Sequence, residues 1–100
     1  MKFTAVGLEL CIIGIKRYNF AYDKNKHSKQ TLQLIREPEN KYDENAVKVL
    51  LQDKKIGYIK KEEAANLTHI LRNIGNNYQV REWGVKHYTS GYMIVEVFIH

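Results

Sequence analysis

Within REPENKYDENAVKV, a basic chain gathers four of its eleven acidic residues (Glu37, Glu39, Asp43 and Glu44) between positions 37 and 44. Carboxylates accept strong hydrogen bonds from hydroxyl and N–H donors, so such a segment suits a site that needs an acceptor. It suits a solvated turn equally well, because Pro38 fixes φ and Asn40, Asp43 and Asn45 can bond their own backbone. Acid/base work by Glu37 with Asp43 would need two carboxylates facing each other from rigid strands, and a turn does not supply that.

The cations are interleaved with aromatic residues. Lys16, Arg17 and Tyr18 are followed by Phe20 and Tyr22, and Lys60 and Lys61 follow Tyr58 closely. Single-stranded nucleic acid asks for this combination, since its phosphates need positive charge and its bases need stacking faces. A helix beginning at Lys60 and Lys61 would add backbone N–H donors beside them, a seat for phosphate. The plainer alternative is a set of solvated surface charges and sheet-edge tyrosines.

Other chemistries find little support. One cysteine, Cys11, excludes an internal disulfide and a cysteine-built zinc site, and it lies in an apolar run as a buried, inert thiol would. The four histidines lack the close spacing of a helical metal site, so no metal and no cofactor are expected. There is no glycine-rich phosphate loop and no nucleophile elbow.

These residues must be positioned by short elements. FTAVGLELCIIGI (3–15) reads as a strand with a bend at Gly7 or Gly14; Val6, Leu8, Leu10 and Ile12 share one face, Ile13 and Ile15 the other. DKNKHSK (23–29) reads as a loop, QTLQLIRE (30–37) as a second strand, AVKVLL (46–51) as a third and IGYI (56–59) as a fourth. In KKEEAANLTHILRNIG (60–75) the period changes: Ala64, Leu67, Leu71 and Ile74 recur every three or four residues, with Ile70 beside them, and Gly75 suits a helix end. YQVREWGVKHY (78–88) and GYMIVEVFI (91–99) read as a closing hairpin.

The chain has 100 residues, 44% hydrophobic, without linker or repeat, which suits one domain over 1–100. The expected fold is mainly β with one helix (α+β): a small, curled OB-like or SH3-like barrel of about six strands. The longest apolar run, LCIIGI, falls far short of the roughly 18 residues of a membrane span. The N-terminus reads as a strand rather than a signal peptide, so a cytoplasmic, non-membrane protein is expected. A net charge of +5 tilts the partner towards a polyanion.

The stretch from 34 to 67 resembles the HIRAN domain. Arg36, Glu37, Pro38, Asn40, Tyr42, Asp43, Asn45, Ala46, Val47 and Val49 carry the resemblance, and Gly57, Ala64 and Ala65 continue it. It implies a curled β-barrel related to the OB-fold and a non-enzymatic module that captures the 3′ end of single-stranded DNA, in repair or replication. Bases would stack on aromatics, Tyr42 among them, and Asp43 would accept from the terminal 3′-hydroxyl. The family's phosphate lysine falls on Lys61, next to Lys60; its histidine becomes Tyr58, which keeps a donor for phosphate; its last-strand aromatic becomes Tyr92. Its Arg-Tyr pair falls on Lys16 and Arg17, with Tyr18 one residue later; the other register would put Glu9 and Leu10 there. Glu37, Glu39 and Glu44 read as turn and surface charges, with Pro38, Asn40 and Asn45 shaping the turn. DNA is preferred over RNA as the partner, and a protein partner in a repair or replication complex would accompany it.

Two alternatives belong to other classes. A metal-independent ribonuclease of the toxin type would use Arg81, Lys86, His87 and Tyr88 near the C-terminus. A protein-interaction domain would use an open sheet edge or groove.

Overall fold

A computed structural model describes residues 6–99, so positions 3–5 of the expected first strand lie outside the described residues. The elements are β1 (Val6–Ile13), α1 (Lys24–His27), β2 (Leu32–Arg36), β3 (Val47–Leu51), β4 (Lys54–Ile59), α2 (Lys61–Ile74), β5 (Asn77–Val80), β6 (Trp83–Tyr88) and β7 (Tyr92–Ile99). All ladders are antiparallel, in the order β5-β2-β3-β4-β1-β7-β6.

Period-2 alternation sets which side chains go inside. Leu10 and Ile12 of β1, Leu32 and Leu34 of β2, Val47, Val49 and Leu51 of β3, and Met93, Val95 and Val97 of β7 are buried in one cluster. Ala64, Leu67 and Leu71 of α2 join it, as their helical spacing requires. Ile74, at the helix end, is exposed instead. Thr68 is buried too, and its hydroxyl donates to the Ala64 carbonyl at 2.8 Å and the Asn45 carbonyl at 3.4 Å.

The expected barrel is here an open sheet. β1 pairs with β7 from Val6 to Ile13 but with β4 only at Ile12↔Ile59 and Ile13↔Tyr58. Among the described residues no ladder joins the end strands β5 and β6. Where β4 stops, α2 takes over: the Lys60 N–H donates to the Cys11 carbonyl at 2.8 Å, and the Cys11 N–H donates to Glu63 Oε1 at 2.6 Å. The backbone groups of Cys11 are thereby satisfied by the cap and first turn of the helix rather than by a strand.

Three local expectations change. The segment 78–88 is two strands: Tyr78 lies opposite Leu34 of β2, whereas Trp83 lies opposite Val97 of β7. The count rises to seven because the chain changes partner at Arg81 and Glu82. Ile15 does not share the outer face with Ile13; Gly14 adopts φ +75° and the turn returns Ile15 to the core, fully buried. The loop at 23–29 contains a one-turn helix, where the Asn25 N–H donates to Asp23 Oδ1 and the Asp23 N–H donates to His27 Nδ1.

His27 is buried against the rings of Phe20 and Tyr22, at 5.0 and 6.0 Å between centroids. Burial, aided by the Lys26 charge, pushes its pKa below the ordinary value against the opposing pull of Asp23. The folded state therefore holds the neutral ring, whose Nδ1 must accept the Asp23 N–H. Unfolded chains take up the proton first as pH falls, so stability is full above about pH 6.5 and declines below it. Thermal melts from about pH 8 to pH 5 should show this decline, and His27→Gln should flatten it. A parent melting temperature that stays constant to pH 5 would contradict the buried neutral imidazole.

Candidate functional site

The 36–46 segment is a pinned turn. Asn40 Oδ1 accepts from the backbone N–H groups of Tyr42 at 2.9 Å and Asp43 at 3.1 Å. The Glu37 N–H donates to the Ala46 carbonyl, and the Ala46 N–H donates to the Asp43 carbonyl. Asp43 Oδ1 accepts from the Asn45 N–H at 2.9 Å, so Asp43 does shape its own turn. Its second oxygen has no partner among the described residues. Tyr42 stands 85% exposed on this rigid frame, with Lys41 Nζ 5.5 Å from its ring centroid.

A groove of about 570 Å³ opens between this turn, the 14–18 turn and the start of α2. Arg17, Tyr18, Tyr42, Asp43, Tyr58 and Lys61 all line it, together with Ile13. Arg17 and Tyr18 arrive through consecutive tight turns, in which the Arg17 N–H donates to the Gly14 carbonyl and the Tyr18 N–H to the Ile15 carbonyl. Neither Arg17 nor Lys61 has an ion-pair partner among the described residues.

The remaining expected residues stand apart from the groove lining. Lys16 and Lys60 are exposed, and the Lys60 backbone is spent on Cys11. Tyr92 faces Ile13 across the β1–β7 ladder, and Ile13 in turn faces Tyr58 across the β1–β4 ladder. Cross-strand partners share a face, so Tyr58, Ile13 and Tyr92 form one row, of which Tyr58 and Ile13 line the groove and Tyr92 does not. The alternative register is not placed here: Leu10 is buried, and Glu9 pairs with Lys86 at 3.8 Å.

Two residues behind the groove lining have a part that type and spacing did not assign them. Glu37 is no surface charge: its side chain is only 16% exposed. Its Oε1 accepts from Asn40 Nδ2 at 3.1 Å and from the Tyr58 hydroxyl at 2.9 Å, while Lys48 Nζ lies 3.6 Å from Oε2. Burial pushes its carboxyl upwards, but the hydrogen bonds from Asn40 and Tyr58 and the nearby Lys55 and Lys48 outweigh it, and the net shift is downwards. Lys55 Nζ donates to the Tyr58 hydroxyl at 2.6 Å. The Tyr58 hydroxyl, expected as a donor to phosphate, donates its single proton to Glu37 in this structure. Burial and the Glu37 carboxylate both push the Tyr58 phenol up.

A regular strand would send Lys55 and Tyr58, three residues apart, to opposite faces. The ladder shifts register at Val49/Leu50, where Val49 faces Gly57 and Leu50 faces Lys55. Ile56 is the extra residue of this bulge, and it turns Lys55 onto the face of Tyr58. No sequence period carries that signal.

Arg81, Lys86, His87 and Tyr88 do not converge. Lys86 pairs with Glu9, His87 contacts the Tyr92 ring, Tyr88 contacts Tyr22, and none of the four lines the groove. Among the described residues no cluster of three or more His, Cys, Asp or Glu side chains is placed to hold a metal ion. No helix among them is long and apolar enough to cross a membrane.

The fold and groove define a small antiparallel β architecture whose central strands carry an aromatic cleft, set with a few charged residues, beside a helix start. The family model of the HIRAN domain matches residues 7–97, and the chain belongs to that family. It is 38% identical over 63 residues to the helicase-like transcription factor of Oryctolagus cuniculus, covering 62% of this chain and 6% of that protein's length. Among solved structures it is similar to the HIRAN domain of human HLTF, with a TM-score of 0.67 and 23% identity over 92% of this chain and 73% of the other.

Proposed function

We propose that this HIRAN domain is a non-enzymatic module that binds single-stranded nucleic acid, DNA in preference to RNA, and captures its 3′-hydroxyl end in the groove. The observation that carries the reading is the company Asp43 keeps. Among the described residues, a carboxylate with one unpartnered oxygen lines a groove whose two cations, Arg17 and Lys61, are also unpaired. A lone carboxylate among cations suits a ligand that is anionic yet ends in a hydrogen-bond donor, as a strand ending in a hydroxyl does. Tyr18, Tyr42 and Tyr58 supply faces on which bases stack.

Asp43→Asn tests it better than alanine, because Asn keeps an acceptor for the Asn45 N–H while it removes the charge and replaces the second oxygen by an amide donor. With a short labelled oligonucleotide in fluorescence anisotropy, the parent should favour a 3′-hydroxyl over a 3′-phosphate by about tenfold or more. Asp43→Asn should lose most of that preference while keeping its thermal stability. Equal binding of both ends by the parent would remove end capture, and absence of binding to DNA and RNA alike would remove the nucleic-acid reading.

A further inference from the structure

The groove's two inner tyrosines share one cation. Lys55 Nζ lies 4.3 Å from the Tyr58 ring centroid and 5.0 Å from the Tyr18 ring centroid. The rings themselves are 6.3 Å apart and tilted by 51°. An ammonium at such distances is attracted to both faces. Its position is further held by its hydrogen bond to the Tyr58 hydroxyl, and that hydroxyl is anchored in turn on Glu37. A chain of contacts therefore runs from the pinned 36–46 turn through Tyr58 to the turn that carries Arg17 and Tyr18.

We infer that Lys55 is a positioning residue, which fixes Tyr18 and Tyr58 as one preformed stacking platform for an unpaired base and makes no phosphate contact of its own. The inference rests on the nucleic-acid reading above. Its physical basis is the cost of ordering. Tyr18 sits on a turn outside the sheet, and an aromatic ring that is already oriented loses less freedom when a base stacks on it. The half-buried ammonium is already engaged by a hydroxyl and two rings, and it is not among the groove-lining residues, unlike Lys61. A residue acting through the rings should alter affinity without altering the number of phosphates neutralised.

Two measurements on the whole chain test this. The first needs no DNA: in the NMR spectrum of the free protein, the Lys55 Hε resonances should lie upfield of those of the other lysines, shifted by the two ring currents. The second is anisotropy with a labelled mixed-sequence oligonucleotide bearing a 3′-hydroxyl, repeated over a range of salt. Lys55→Met should weaken binding by about tenfold with an unchanged salt slope and a near-parental melting temperature. Lys55→Arg, whose guanidinium can also stack on the rings and donate, should recover to within about threefold of the parent. Ordinary Hε shifts, parental affinity of Lys55→Met, or a salt slope reduced by about 0.7 (the loss of one phosphate contact) would each overturn the inference. Should the parent bind no nucleic acid, the role of Lys55 falls with the wider reading, while an upfield Hε shift would still leave the contact of Lys55 with the two rings standing.

Discussion

Gly57→Ala is expected to destabilise the fold by roughly 3 kcal/mol or more, because an added Cβ there meets closer neighbours than at any other glycine. A Cβ built at Gly57 would lie 2.5 Å from the Ile13 carbonyl oxygen and 2.9 Å from Ile12 Cγ2. The first is backbone in the middle of the sheet, so relief requires β4 and β1 to separate. Their ladder has only two pairs, Ile12↔Ile59 and Ile13↔Tyr58, and cannot absorb the shift elsewhere. Those same residues place Ile13 and Tyr58 in the groove, so binding should fall with stability. Urea unfolding measures the first effect, and Gly84→Ala is the control: it lies in a strand too, but a Cβ there meets nothing within 4 Å. A Gly57→Ala midpoint close to the parent's would show that the strands do not approach so closely.

Reversing the two unpaired groove cations, Arg17→Glu with Lys61→Glu, should lower single-strand affinity by about 100-fold at low salt. Each reversal removes a phosphate partner and adds a repulsive charge, and no neighbouring acid loses a partner, since neither cation is in an ion pair among the described residues. The parent's dependence of log affinity on log salt should have a slope of about −1.4 if these two cations carry the phosphate contacts. Lys24→Glu with Lys29→Glu makes the same change in net charge on exposed residues outside the groove. That control separates a localised site from general attraction to a basic protein. Equal losses in the two double variants would mean the charge acts globally, and the groove would lose its role.

Much of the fold was legible because it rests on local periods. The alternation of Val47, Val49 and Leu51 and of Met93, Val95 and Val97, and the helical spacing of Ala64, Leu67 and Leu71, each bury one face, and burial follows period. The family was legible from the density of matched positions between Arg36 and Val49, a stretch that forms one pinned turn between two paired strands. Less legible was any feature that depends on which strands meet. The division of 78–88 reflects a change of partner from β2 to β7, and a residue's own neighbours say nothing of that choice.

By itself, the sequence determined the type of the main strands and of the long helix α2, the chemistry of the 36–46 turn, and the presence of cations and tyrosines suited to an anionic, aromatic ligand. These follow from side-chain period and backbone preference, which act over a few residues. The tertiary structure alone decided which of them meet. It brought Arg17, Tyr18, Asp43, Tyr58 and Lys61 into one groove and left Lys16, Lys60 and Tyr92 outside its lining. It also turned Glu37 inward and, through the bulge at Ile56, set Lys55 between two rings. A single inserted residue in a ladder exchanges the two faces of a strand, and only the partner strand determines where that insertion falls.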